Sequence, residues 1–189
     1  MDLTALTSLT LRAPREAARA ILAAGIDRAR HFELFLLVIA LSGALGQLTI
    51  ILLPLPEAPE DAPQITGLTI AALVGASILV LTFIMYLGGR VFGGTGDVRD
   101  ALLLVLWAQF LMTVLQAVEL VVAVLVPGAG GVLALVAVVF LLWLLTNFTA
   151  ELHGFDSLAR TFVGLVAAML GLSVVMSVAL TLLLTAAPS

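Results

Sequence analysis

The 189-residue chain contains no cysteine. Disulfides, thiolate metal sites, iron–sulfur clusters, c-type haem attachment and cysteine lipidation are thereby excluded. Lysine is absent as well, and all eight cations are arginines. That excludes a Schiff-base lysine and the lysine of a phosphate-binding loop. Histidine occurs only as His31 and His153. Charged residues make up just 11% of the chain, against about 25% in an ordinary soluble domain. What the chain has instead is apolar surface: 62% of its residues are hydrophobic and the mean hydropathy is +1.26. A domain of this size cannot bury that much apolar surface in its own core. A soluble globular domain and a disordered chain are both ruled out, and the solvent for most of the chain is lipid.

A helix needs about 20 mostly apolar residues to cross about 30 Å of hydrocarbon. Five stretches qualify: 32–53, 65–89, 101–126, 132–152 and 160–185. Spans this long are helical, because an open strand would leave backbone polar groups unsatisfied in lipid. Pro127, Gly128, Ala129, Gly130 and Gly131 separate the third and fourth spans and predict a tight helical hairpin. The expected fold is therefore an all-α integral membrane bundle of five transmembrane helices, residues 32–189. A segment comprising residues 1–31 precedes it.

The connections sort by charge. Arg12, Arg15, Arg19, Arg28 and Arg30 precede the first span, Arg90 and Arg99 follow the second, and Arg160 precedes the fifth. The alternate connections hold only Glu57, Glu60 and Asp61. All the cations thus fall on one side, which the positive-inside rule assigns to the cytoplasm. The N-terminus is expected inside and the C-terminus outside, in the periplasm of a bacterial inner membrane. Residues 1–31 lack the apolar core of a signal peptide. Residues 14–30 predict an amphipathic helix, with Ala18, Ile21, Leu22, Gly25 and Ala29 on one face and the arginines on another. Pro14 suits its first turn. Such a helix is expected in the headgroup layer, with Arg12, Arg15 and Arg19 as interfacial basic residues.

Few polar residues lie within the spans. Glu119 sits in the third, about 10 Å from its outer end. An acid at that depth is expensive unless partnered, which makes it a functional candidate. Gln109, Met112, Gln116 and Glu119 share one stripe, Gln47 falls at a similar depth in the first span, and Ser173, Ser177, Thr181 and Thr185 form a row in the fifth. Spans one, three and five are expected to turn these faces inward, as a proton or small-solute path or as hydrogen-bonding glue between helices. Asn147 is a buried amide near the inner end of span four, and its sequon lies within the membrane. Glu151, His153 and Asp156 match no specific metal template and predict a solvated helix end. The glycine-rich run 88–97 lacks the lysine of a phosphate loop and predicts a flexible turn before a helix capped by Asp97. Trp107, Tyr86 and Trp143 are placed as interfacial anchors. Stripes of small residues, including Gly43 and Gly46, Ala71 and Gly75, and Gly164 and Ala168, allow close helix approach within the bundle or between copies. No nucleophile–base pair is evident, so an enzyme is the least supported class and no cofactor or metal is expected.

Three stretches carry a resemblance. They are Ala13-Pro14-Arg15-Glu16-Ala17-Ala18-Arg19 ahead of the first span, Gly93-Gly94-Thr95-Gly96-Asp97-Val98-Arg99-Asp100-Ala101 leading into the span that holds Trp107, and Glu151-Leu152-His153-Gly154-Phe155 with Ala159-Arg160 before the last. In these the chain resembles the Yip-type five-span membrane proteins, in particular their bacterial branch, over nearly its whole length. Eukaryotic members act in vesicle traffic, binding lipid-modified Rab GTPases and each other. This chain lacks their long polar N-terminal region, so the resemblance implies fold and topology but not the trafficking role. It also implies a noncatalytic role in binding membrane partners.

The expected function is an interaction or scaffold component, or an accessory subunit of a membrane complex. The expected partners are the lipid bilayer and either another membrane protein or further copies of the chain, with no nucleic acid. The alternative is a small transporter or channel using the face of Gln47, Gln116 and Glu119.

Overall fold

The computed structural model describes residues 2–53, 65–126 and 130–186. Among them are seven helices and no strand: α1 (Leu3–Arg12), α2 (Pro14–Ala23), α3 (Arg28–Leu52), α4 (Gly67–Val91), α5 (Val98–Leu125), α6 (Gly130–His153) and α7 (Leu158–Ala186). The five long helices are apolar enough and long enough to cross a membrane, and each falls on one of the expected spans to within a few residues. Three expected features lie outside the described residues: the acidic connection 54–64, the turn residues 127–129 and the tail 187–189.

The helix ends follow local chemistry. The Asp2 carboxylate caps α1, accepting from the Thr4 hydroxyl at 2.7 Å. That bond holds its pKa below the ordinary carboxylate value. Pro14 opens α2 as its first residue, where its missing N–H would have had no partner anyway. Thr66 caps α4, and Asp97 caps α5 by accepting from the Arg99 amide at 2.7 Å. Gly93 and Gly154 adopt positive φ directly after α4 and α6. That conformation stops a helix and is strained for any residue with a Cβ.

Residues 14–30 do not form the single amphipathic helix that their spacing predicts. Helix α2 ends at Ala23, Gly25 takes φ +59°, and Arg28 and Arg30 belong to the first turn of α3. The apolar face of α2 is Pro14, Ala17, Ala18 and Ile21, and it buries against α6 and α5. Gly25 and Ala29, expected on that face, are exposed.

Helix α6 is the axis of the arginine-rich half of the bundle. It packs against α5, α2, α7 and α4, and every residue from Leu144 to Ala150 is buried. Four neighbours remove all sides of that helix from lipid. Its other half has no such jacket, with Val132, Leu135, Val136 and Val139 all more than half exposed. The core centred on Met85, Leu104, Leu144 and Phe148 accordingly lies toward the arginine-rich end. Small residues close the α3–α4 contact. A Cβ on Gly43 would meet Gly67 O at 2.7 Å and the Ala71 Cβ at 2.8 Å. The first small-residue stripe therefore builds the monomer.

Candidate functional site

The polar residues picked out by sequence do not converge on one face. Gln47 lies at the end of the bundle away from the arginines. Its Oε1 accepts from the backbone N–H of Gly67 at 2.6 Å, tying α3 to the first turn of α4. The Asn147 amide donates to Trp143 O at 2.8 Å on its own helix. Gln109 contributes its backbone carbonyl, which accepts from the Thr113 hydroxyl at 2.9 Å. Thr113 has then used its only proton, so Ser42 is the donor in the 2.8 Å bond between Ser42 and Thr113. This α3–α5 bridge is buried in mid-span. Gln116 is half-buried, and Glu119 keeps one buried carboxyl oxygen with no hydrogen-bond partner.

The expectation that spans one, three and five share an inward polar face fails at α7. That helix packs on α4 and α6. Ser173, Ser177 and Thr181 are exposed, and the Ser173 and Thr181 hydroxyls donate to carbonyls four residues earlier. Serine and threonine in an apolar helix can satisfy their hydroxyls this way.

The built chemistry lies at the arginine-rich end, on residues that the sequence reading treated as a solvated helix terminus. His153 is 4% exposed. Its Nε2 lies 3.0 Å from Met85 O, and its Nδ1 lies 3.1 Å from the Gly96 backbone nitrogen. A carbonyl can only accept and an amide N–H can only donate. The ring is therefore the neutral tautomer with its proton on Nε2. One imidazole thus ties the end of α6 to α4 and to the turn before α5. Phe155 stacks on its ring with centroids 5.6 Å apart. The surrounding glycines make room: a Cβ on Gly89 or Gly94 would run into the imidazole, and one on Gly96 would meet the Leu152 side chain at 2.6 Å. The run 88–97 is therefore not a flexible turn. It is a packed cradle, and its glycines are there for side-chain clearance as well as backbone conformation.

Two residues before His153, Glu151 holds α2. Arg15 Nε lies 3.1 Å from one carboxylate oxygen, and Arg19 Nη2 lies 2.9 Å from the other. These are the only ion pairs among the described residues. A carboxylate with both oxygens in charge-assisted bonds is well oriented. Farther along, Trp107 Nε1 donates to the Thr10 hydroxyl at 3.0 Å, and Thr10 in turn donates to Leu6 O. Trp107 is thus a hydrogen-bonded latch for α1. Arg12, in the last turn of α1, is exposed, where its charge complements the helix dipole. Of the three interfacial arginines, two are clasped by α6 and one faces outward.

Sequence reasoning missed Thr10, Glu151 and His153 as fasteners. The one available signal was the density of glycine at 88, 89, 93, 94 and 96, which marks a close approach without naming what approaches. Among the described residues no cluster of three or more histidine or acidic side chains is placed to hold a metal.

No curated protein and no solved structure matches the chain. The Yip1 domain family model matches residues 9–179. That span takes in the Thr10 latch, the α2 clasp, the glycine cradle, helices α3 to α6 and α7 as far as residue 179, and the chain belongs to the Yip1 domain family.

Proposed function

We propose that the chain is a noncatalytic interaction component of a membrane assembly, spanning a bacterial inner membrane with its arginine-rich end in the cytoplasm. The observation that carries this reading is the clasp of α2 on Glu151, together with the Thr10–Trp107 latch. Both fix a short helical pair in register on the bundle. They leave Arg12 and the outer faces of Arg15 and Arg19 as a basic surface of defined shape, suited to an acidic partner segment or to neighbouring membrane proteins. The polar interior also supports a structural role. Both His153 nitrogens are held by backbone. Family membership points the same way, toward binding among membrane partners.

A second reading rests on a single observation, the unpartnered carboxyl oxygen of Glu119 within α5. A small transporter would use such a group as a proton or solute relay. Extraction in mild detergent with copurification, followed by flux measurements in proteoliposomes, separates the two. A stoichiometric partner lost on Arg12→Glu, with no flux, is the expected result. pH-dependent flux abolished by Glu119→Gln would replace the first reading with the second.

A further inference from the structure

A cavity of about 430 Å³ opens between α4, α6 and α7 at the arginine-rich rim. It lies on the α7 side of His153 and includes none of the residues that fasten α1 and α2. Its volume falls within the range of small-molecule sites, roughly 300–1,000 Å³. Apolar side chains of Ile84, Phe92 and Leu165 line one part, and Asp156, Arg160 and Thr149 line another.

Thr149 is the residue that asks for a ligand. It is 4% exposed, yet its hydroxyl has no hydrogen-bond partner. The other buried threonines behave differently. Thr10, Thr82, Thr113, Thr146 and Thr161 each donate to the carbonyl four residues earlier. Thr149 makes no such bond to Leu145. A buried hydroxyl that declines its local acceptor carries a desolvation penalty unless something else in the cavity accepts from it.

The charges at the mouth define what that something is. Asp156 and Arg160 flank the start of α7, and neither is in an ion pair. One site therefore offers an anion and a cation that do not neutralise each other. The first turn of α7 adds the positive end of a 29-residue helix, which favours a phosphate. Gly88 and Gly164 form part of the wall. A Cβ on Gly88 would meet the Ala168 Cβ at 3.3 Å, so these glycines let α4 and α7 pack closely beside the cavity. A Cβ on Gly164 would meet the Phe92 ring at 3.0 Å.

We propose that this cavity binds the headgroup of a zwitterionic phospholipid of the phosphoethanolamine type. Arg160 and the α7 N-terminus hold the phosphate, Asp156 holds the ammonium, and Thr149 donates to an oxygen of the same group. Ile84, Phe92 and Leu165 receive the upper part of the acyl chains. A lone anion would leave Asp156 repelling its ligand, and a neutral diacylglycerol would leave Arg160 without a partner.

Native mass spectrometry of the full chain, delipidated in detergent and titrated with lipids of identical acyl chains, tests the assignment. Phosphatidylethanolamine is expected to be retained about tenfold over diacylglycerol, the effect of one charge-assisted contact. It should also be retained several-fold over phosphatidylglycerol. Arg160→Ala should reduce phosphatidylethanolamine retention about tenfold. Asp156→Asn should erase the preference over phosphatidylglycerol. Thr149→Val, nearly isosteric and free of an unpaired hydroxyl, should weaken retention while leaving thermal unfolding unchanged or raised. Equal retention of diacylglycerol, or unchanged lipid selectivity in both Arg160→Ala and Asp156→Asn, would overturn the proposal. Soluble glycerophosphoethanolamine should fail to displace the lipid at equal concentration. Displacement would show that the site takes a soluble zwitterion and would overturn the lipid assignment.

Discussion

At the scale of single residues, His153 and Gly89 make a pair whose energetics can be separated. His153→Ala leaves Met85 O and the Gly96 N–H buried without partners and opens a cavity between three elements. The combined loss is about 2–4 kcal/mol. Gly89→Ala sets two effects against each other. Alanine gains up to about 1 kcal/mol of helix propensity over glycine. Its methyl group, however, runs into the imidazole, and overpacking of this kind costs about 1–3 kcal/mol. Overpacking wins, and the single variant is destabilised. In the double variant the ring is gone and the methyl enters the space it left. Thermal unfolding in detergent should therefore show a double variant clearly more stable than the sum of the two losses. Strict additivity would mean that the ring and the glycine do not touch. This contact also shows why the site was only half legible in the sequence. Five glycines in nine residues announce a close approach, but the group that approaches lies 57 residues away along the chain from Gly96. A histidine beside two acids at a helix end reads as solvated, because nothing local reveals the α4 carbonyl that draws it inward.

Among the elements, α2 shows which force positions a helix and which sets its register. Arg15 and Arg19 keep 35% and 68% of their side-chain exposure. Pairs this open to solvent contribute no more than about 1 kcal/mol each. Burying Ile21, which is 6% exposed, contributes about 1.5–3 kcal/mol, and Ala17 and Ala18 add to it. The apolar face therefore holds α2 on the bundle, and the ion pairs choose its rotation and slide. Hydrogen exchange should rise over residues 3–23 in Ile21→Ala more than in Glu151→Gln, while α3 to α7 keep their protection. Added salt should loosen α2 in the wild type but not in Glu151→Gln. The opposite ranking would make the charges the dominant force. The five long helices were readable because each apolar run matches the hydrocarbon thickness, and that match needs no knowledge of neighbours. Helix α1 was not readable. LTALTSLTLR is too short to span and too weakly patterned to stand as a helix alone. Its place depends on the bond from Trp107 to Thr10 across 97 residues.

For the molecule as a whole, burial and charge are asymmetric in the same sense. The jacketed half of α6, the histidine cradle, the clasp and the cavity all lie at the end that carries the arginines. At the other end α5 and α6 expose Val121, Leu125, Val132 and Leu135 to lipid. Arginine resists transfer across the bilayer, and short connections rich in it stay on the cytoplasmic side. The packed end with its built sites is therefore predicted to face the cytoplasm, and the loosely packed end the opposite compartment. The absence of cysteine makes this directly measurable, because any introduced thiol is the only one in the chain. Ala24 and Ile65 are both exposed, on either side of α3. Neither makes a side-chain hydrogen bond, so replacing either with cysteine disturbs nothing that holds the fold. In intact spheroplasts a membrane-impermeant maleimide should label Ile65→Cys and spare Ala24→Cys, and permeabilisation should make Ala24→Cys reactive. The reverse pattern would invert the topology. It would place the arginines, the clasp and the cavity outside, and the cytoplasmic partner surface argued from Arg12, Arg15 and Arg19 would fall with it.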